Sequence, residues 1–175
     1  MTSSLAMRCV HASEAAPSAR CSSVLYTQRV ASDAAKAYLR TLDDQFVLHA
    51  PGGDILAVHG SPRRINEYLF EDRPASAMER MARDYQYPAI LFGHTHVPYA
   101  RRVGGAVFVN VGSAGRPKDG DWRVCYALVD PARLGEREGF VELVRVPYDH
   151  ERLLADMATT PLITSFSAPS GPHEG

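Results

Sequence analysis

Apolar and polar residues alternate along the chain in patterns that predict four helices. A run that begins at Ser32, a favourable N-cap residue, repeats apolar side chains at helical spacing as far as Leu42. Residues 65–70, 75–85 and 150–157 show the same periodicity and predict three further helices.

Short apolar runs between turn residues predict the strands. The runs at 46–50 and 55–58 flank Pro51-Gly-Gly-Asp, a sequence typical of a tight turn, and therefore predict a hairpin. Further strands are predicted at residues 89–92, 106–109, 124–129 and 140–146. We expect the last two to pair antiparallel across the turn at Gly135–Gly139.

The order of these elements predicts a mixed α/β sandwich, since regular βαβ alternation is absent from the pattern. We expect an irregular N-terminal segment at 1–24, one domain at 25–160 and a mobile tail at 161–175. The chain of 175 residues is 45% hydrophobic and 22% charged, which is typical of a single soluble domain with a real core.

Charge and cysteine content narrow the choice of partners. The 19 Lys and Arg against 20 Asp and Glu give a net charge of −1, which disfavours a role in holding long nucleic acid. A phosphorylated small molecule or a nucleotide remains a reasonable substrate. The three cysteines form no disulfide framework, and we find no signal peptide and no apolar run of about 20 residues. We therefore expect a cytoplasmic protein without a membrane span.

Three of the seven histidines follow two of the predicted strands. His59 comes directly after residues 55–58, and His94 and His96 follow residues 89–92. Because residues two apart in an extended chain point to the same side, we expect His94 and His96 to enter one pocket. Neutral imidazole is a common ligand of Zn, Mn, Fe and Ni. The spacing alone leaves a metal site and solvated histidines as alternatives.

Three motifs resemble the C-terminal motifs of the calcineurin-like metallophosphoesterases, and especially of the small bacterial phosphodiesterases of the YfcE-like kind. They are Val58-His-Gly-Ser-Pro, Phe92-Gly-His-Thr-His-Val-Pro-Tyr and Phe108-Val-Asn-Val-Gly-Ser-Ala-Gly-Arg-Pro-Lys-Asp-Gly-Asp. The resemblance runs from about Tyr26 to about Leu154 in the family's order and spacing. It implies the αββα sandwich of that family.

The resemblance also implies a two-metal phosphoester hydrolase. In the family's arrangement, His59 and His94 bind one divalent metal ion, His96 binds the other, and a metal-activated hydroxide attacks the phosphoryl group. The implied ion is Mn, Fe, Zn or Ni. The other residues expected at the site, as substrate contacts or loop-shaping residues, are Gly60, Ser61, Arg63, Gly93, Thr95, Asn110, Gly112, Ser113 and Arg116. Asn110 has a purely turn-forming alternative, and Arg63, Arg64 and Arg116 either bind phosphate or are solvated.

The aspartate motifs of the family are not found intact in residues 1–58. The nearest match to its Arg-Gly-Asn-His-Asp segment is Arg8-Cys-Val-His-Ala, in which only His11 remains as a candidate catalytic residue. Neutral imidazoles cannot bridge two dications as carboxylates do, so we expect one metal ion or none here instead of a dinuclear centre. Because the N-terminal motifs of the family are not found, we also expect only the C-terminal part of its sandwich. Either the chain is a shortened form of a longer enzyme, or a second copy or a partner covers the missing half.

Three functions remain as alternatives. A metal-dependent phosphoesterase, even one of low activity, predicts hydrolysis that His94→Ala removes. A non-catalytic interaction scaffold on the same fold, as in the superfamily's retromer subunit, predicts a partner or self-association. A simple histidine metal-binding protein predicts tight binding of one ion without turnover.

Overall fold

The computed structural model describes residues 19–136 and 139–160. Within this part, residues 19–42 and 149–160 belong to one compact unit, and residues 43–148 belong to another. The α-helices of the described residues are α1 (Ala19–Val30), α2 (Asp33–Leu39), α3 (Ala75–Tyr85) and α4 (His150–Ala158). No helix in this part of the chain is both long and apolar enough to cross a membrane.

The first unit consists of α1, α2 and α4, and the last two were predicted from side-chain periodicity. Ser32 caps α2, since its Oγ accepts a 3.2 Å hydrogen bond from the backbone N–H of Ala35. The irregular segment expected as far as residue 24 is wrong from Ala19 onward, because α1 begins there. Its apolar residues do not repeat at helical spacing, so periodicity gave no signal. His11 and the expected tail at 161–175 lie outside the described residues.

The second unit is built on a five-stranded sheet in the order β1-β2-β3-β5-β4. Its strands are β1 (Gln45–Leu48), β2 (Ile55–Val58), β3 (Ala89–Phe92), β4 (Tyr99–Val103) and β5 (Ala106–Asn110). The three inner strands β2, β3 and β5 are parallel, whereas β1 and β4 pair antiparallel at the two sides. The carboxyl ends of the inner strands therefore meet at one edge of the sheet, where ligand sites of α/β proteins commonly lie.

Each face of this sheet carries its own apolar core. Phe108 points toward α3 and packs with Met78 and Met81, whereas the next residue, Val109, points to the opposite face. That second face packs with the hairpin of β6 (Val124–Val129) and β7 (Val141–Val146) and with Phe140. The unit thus has helix, sheet and sheet layers, which confirms the mixed α/β fold class and both predicted hairpins.

Two elements differ from the sequence prediction. Residues 65–70 form a loop, and the predicted helix there is wrong. Ile65 and Phe70 are 55% and 47% exposed, so the apolar residues of this stretch do not form one buried face. The strand β4 was missed because Arg101 and Arg102 interrupt its apolar pattern.

Candidate metal centre

Two histidines lie against each other at the carboxyl edge of the central sheet. His59 directly follows β2, and His94 lies two residues after the end of β3. Nδ1 of His94 is 3.0 Å from Nε2 of His59, and the ring centroids are 4.8 Å apart at an interplanar angle of 69°. The backbone N–H of Gly93 donates a 3.0 Å hydrogen bond to the carbonyl oxygen of His59. The parallel pairing of β2 and β3 therefore brings together two imidazoles that are 35 residues apart.

His96 lies in the same loop as His94, but its ring faces a different segment. Its Nδ1 is 2.7 Å from the carbonyl oxygen of Arg116. A carbonyl oxygen only accepts hydrogen bonds, so this contact assigns the proton to Nδ1 and leaves the Nε2 lone pair for another ligand. The backbone N–H of Lys118 donates to the carbonyl oxygen of His96 at 3.2 Å. The residues after β5 therefore hold His96 from both its ring and its backbone.

The backbone at His94 and His96 is left-handed, with φ 65° at each residue. The extended conformation expected here from the sequence is therefore wrong. A non-glycine residue in this region costs about 1–2 kcal/mol relative to the right-handed conformation. Such a conformation persists only where surrounding contacts enforce it, and it is common at functional sites.

Asn110, at the end of β5, supplies those contacts. Its side chain is fully buried, and its Nδ2 donates hydrogen bonds of 3.0 Å to the carbonyl oxygen of Gly93 and 2.8 Å to Oγ1 of Thr95. Its Oδ1 accepts a 3.0 Å hydrogen bond from the N–H of Gly112. Thr95 is also buried, and its Oγ1 accepts a 3.1 Å hydrogen bond from the N–H of Val97. Asn110 thus ties the His94–His96 loop to β5 while shaping its own turn.

Several side chains in and near the loop after His59 bind one carboxylate, that of Glu67. Ser61 is buried, and its Oγ donates to Oε2 of Glu67 at 2.5 Å and accepts from the N–H groups of Arg63 and Arg64, each at 3.1 Å. The guanidinium groups of Arg63 and Arg73 bind the same carboxylate. Burial raises the pKa of Glu67, but the hydrogen bonds from Arg63 and Ser61 and the charges of the two arginines outweigh it. The pKa of Glu67 therefore lies below its usual range.

This closed loop also positions an aromatic side chain on the site. A Cβ on Gly60 would lie 2.5 Å from the carbonyl oxygen of Ile65, so the tight closure requires glycine. The Tyr68 ring packs on His94 with a centroid distance of 4.2 Å and stacks on Phe70 at 5.8 Å. Sequence reasoning missed Glu67 and Tyr68, because residues 65–70 form a loop, where spacing along the sequence does not predict which side chains meet.

The loop after β5 is fixed by its own contacts. Oγ of Ser113 accepts a 2.9 Å hydrogen bond from the N–H of Arg116, and the carbonyl oxygen of Ser113 accepts from Cys125 at 2.9 Å. Farther along, Arg145 forms an ion pair with Asp119. The Arg116 carbonyl oxygen, which accepts the hydrogen bond from His96 Nδ1, is thus part of a loop that its own contacts hold in place.

The facing nitrogens of the histidine pair, Nδ1 of His94 and Nε2 of His59, fit one cation. Metal–imidazole bonds are about 2.0–2.1 Å long, so two nitrogens 3.0 Å apart are close enough to bind a single ion. In the described residues, no three His, Cys, Asp or Glu side chains come together as a metal site.

Comparison with known proteins gives the same class of fold. A model of the calcineurin-like phosphoesterase superfamily domain matches residues 26–133. The chain is 28% identical to a metallophosphoesterase from Sphaerobacter thermophilus, with a TM-score of 0.67 over 83% of this chain and 66% of that one. A hypothetical protein from Pyrococcus horikoshii OT3 shares the fold, with a TM-score of 0.70, 24% identity and coverage of 85% and 60%.

An uncharacterized protein of Methanocaldococcus jannaschii is 26% identical over 144 residues, which are 72% of this chain and 54% of that protein. The chain therefore spans about half the length of this relative. Since the family model matches more than half of the chain, the protein belongs to the calcineurin-like phosphoesterase superfamily. This superfamily generally binds divalent metal ions, and phosphoester hydrolysis is the activity from which it takes its name.

Proposed function

We propose that the protein is a metal-dependent phosphoesterase of the YfcE-like kind that cleaves a phosphodiester or phosphomonoester. The observation that carries this proposal is the 3.0 Å approach of His94 Nδ1 to His59 Nε2 at the carboxyl edge of the parallel strands. Imidazole nitrogens suit Mn, Fe, Zn and Ni, and manganese is the first ion to test. Membership of the calcineurin-like phosphoesterase superfamily supports a phosphoester as the substrate.

The roles of the histidines follow from their neighbours. His59 and His94 would hold one ion through Nε2 and Nδ1, respectively, and His96 would offer Nε2 to a second. A bound ion supplies a hydroxide nucleophile at neutral pH and charge stabilisation for the phosphoryl oxygens. Asn110 and Thr95 keep the left-handed loop in place, so that both imidazoles of this loop are oriented before a ligand arrives.

Hydrolysis of an artificial phosphodiester tests this function. The parent protein, His94→Ala and His49→Ala are assayed with bis(4-nitrophenyl) phosphate and 4-nitrophenyl phosphate in added Mn²⁺. His49 is a matched control, because its exposed ring pairs with Asp54 outside the site. We expect kcat/KM to fall by more than about 100-fold in His94→Ala and to be unchanged in His49→Ala. Equal activity in the parent and His94→Ala would remove the site assignment.

A second candidate function is a non-catalytic interaction module. In the described sheet β1 is an edge strand, and its Phe46 and Leu48 are 64% and 41% exposed. Exposed apolar side chains on an unpaired edge favour contact with a second copy or a partner chain. This function predicts that the parent protein self-associates, that Phe46→Lys makes it a monomer in sedimentation, and that Mn²⁺ produces no turnover.

A further inference from the structure

The two neighbouring arginines of the His59 loop have different surroundings. Arg63 forms an ion pair with Glu67, and its Nε donates to the same carboxylate at 3.1 Å. Arg64 is exposed, and its guanidinium makes no hydrogen bond or ion pair with any other described residue. Of the two cations, only Arg64 is therefore available for a ligand.

The backbone of Arg64 is nevertheless held firmly beside the histidine pair. Its carbonyl oxygen accepts hydrogen bonds from the N–H of Ser61 at 3.0 Å and of Glu67 at 3.2 Å. The same oxygen lies 2.9 Å from the position of a Cβ on Gly60, the residue next to His59. A fixed backbone with an uncommitted guanidinium is an arrangement that lowers the ordering cost of binding an anion.

A cavity of about 440 Å³ lies at this loop, lined by Arg63, Arg64, Asn66 and Glu67. Its surroundings carry an excess of positive charge, because Arg63 and Arg73 both pair with the Glu67 carboxylate and Arg64 adds a third guanidinium at the lining. The Glu67 pKa lies below its usual range, so this carboxylate is ionised at neutral pH and its charge is already paired. The cavity therefore suits an anion and disfavours a cation.

We propose that Arg64 is a substrate-binding residue and that the cavity binds a second phosphate of the substrate, separate from the phosphoryl group at His59 and His94. The planar guanidinium fork matches phosphate oxygens in a bidentate contact. This inference rests on the proposed function for its substrate class, which becomes a phosphoester that carries another phosphate. The phosphate contact itself is independent of catalysis.

Binding is tested first, without divalent cations. The parent protein, Arg64→Gln and Arg83→Gln are titrated with inorganic phosphate and pyrophosphate, and ¹H–¹⁵N NMR follows the backbone amide signals of Ser61 and of residues 63–67. Arg83→Gln removes the same charge from the exposed surface of α3 and is the matched control. We expect these signals to shift in the parent and in Arg83→Gln. In Arg64→Gln, the affinity for phosphate and pyrophosphate should be lower than in the parent by about 10-fold or more.

The second arm compares thymidine 3′,5′-bisphosphate with thymidine 5′-monophosphate as Mn²⁺-dependent substrates, measured by phosphate release. The parent is expected to have the lower KM for the bisphosphate, and Arg64→Gln is expected to lose that preference while Arg83→Gln keeps it. Equal phosphate affinity in the parent and Arg64→Gln would overturn the inference. If no substrate is hydrolysed but the phosphate shifts depend on Arg64, the cavity assignment stands and the proposed function fails.

Discussion

Asn110 and Thr95 form a buried 2.8 Å hydrogen bond between Nδ2 and Oγ1, and this contact joins the end of β5 to the loop that carries His94 and His96. The two side chains lie 15 residues apart in sequence. The loop is therefore held in its left-handed conformation by a strand that it meets only in the folded protein.

Replacing Asn110 should destabilise the fold. Asn110→Ala leaves the carbonyl oxygen of Gly93 and the N–H of Gly112 without their side-chain partner, and each unsatisfied buried group costs about 1–3 kcal/mol. We expect a loss of about 2–4 kcal/mol in the free energy of unfolding, measured by urea denaturation. The exposed Asn66 provides the control, and Asn66→Ala should change stability by less than about 0.5 kcal/mol. Equal stability of the two variants would contradict the role given to Asn110.

Alanine substitutions at Gly112 and Gly105 distinguish the effect of backbone strain on stability from the effect of steric crowding. Gly112 has φ 82° and Gly105 has φ 84°, so alanine adds similar backbone strain at each. A Cβ at Gly112 would lie 2.7 Å from Cβ of Cys125, whereas at Gly105 it would meet no atom within 4 Å. We expect Gly112→Ala to be less stable than Gly105→Ala by about 1–3 kcal/mol in thermal or urea unfolding. Equal effects would show that Cys125 does not confine this turn.

The contribution of Glu67 should depend on pH. The pKa of Glu67 in the folded protein lies below the ordinary value of 4.5, so its contribution is complete above that value and is lost as pH falls through the folded pKa. The parent should therefore exceed Glu67→Gln in the free energy of unfolding by a constant amount above about pH 5, and this difference should shrink on acidification. Urea denaturation over a range of pH measures it.

The control for this series is Glu71→Gln, which makes the same chemical change at an exposed carboxylate in the next turn of chain. It should differ from the parent by less than about 0.5 kcal/mol at each pH. A Glu67→Gln difference that grows on acidification would have the wrong sign for a carboxylate stabilised in its ionised form.

The tautomer of His96 is a further prediction. Because its Nδ1 lies 2.7 Å from the Arg116 carbonyl oxygen, the neutral ring should carry its proton on Nδ1. Long-range ¹H–¹⁵N NMR of the imidazole, at a pH where the ring is neutral, distinguishes the two tautomers. A proton on Nε2 would show that this nitrogen is not prepared for a metal ion.

The inner strands could be predicted from sequence because each is an apolar run that ends at a glycine or histidine motif. Their parallel order also explains why His59 and His94 meet. The left-handed conformation at His94 could not be predicted locally, because Asn110 enforces it from another strand. The strand β4 could not be predicted for a related reason. The charged Arg101 interrupts its apolar pattern, and the carbonyl oxygens of Glu71 and Arg73 that bind the Arg101 guanidinium come near it only in the folded protein.

Titration with Mn²⁺ tests the central claim most directly, namely that His59 and His94 share one cation. Binding to the parent, His59→Ala, His94→Ala and His49→Ala is measured by calorimetry, with circular dichroism to verify that each variant is folded. We expect the affinity to fall by at least about 10-fold in His59→Ala and in His94→Ala and to be unchanged in His49→Ala. If both folded site variants bind Mn²⁺ as tightly as the parent, the two imidazoles do not form a metal site.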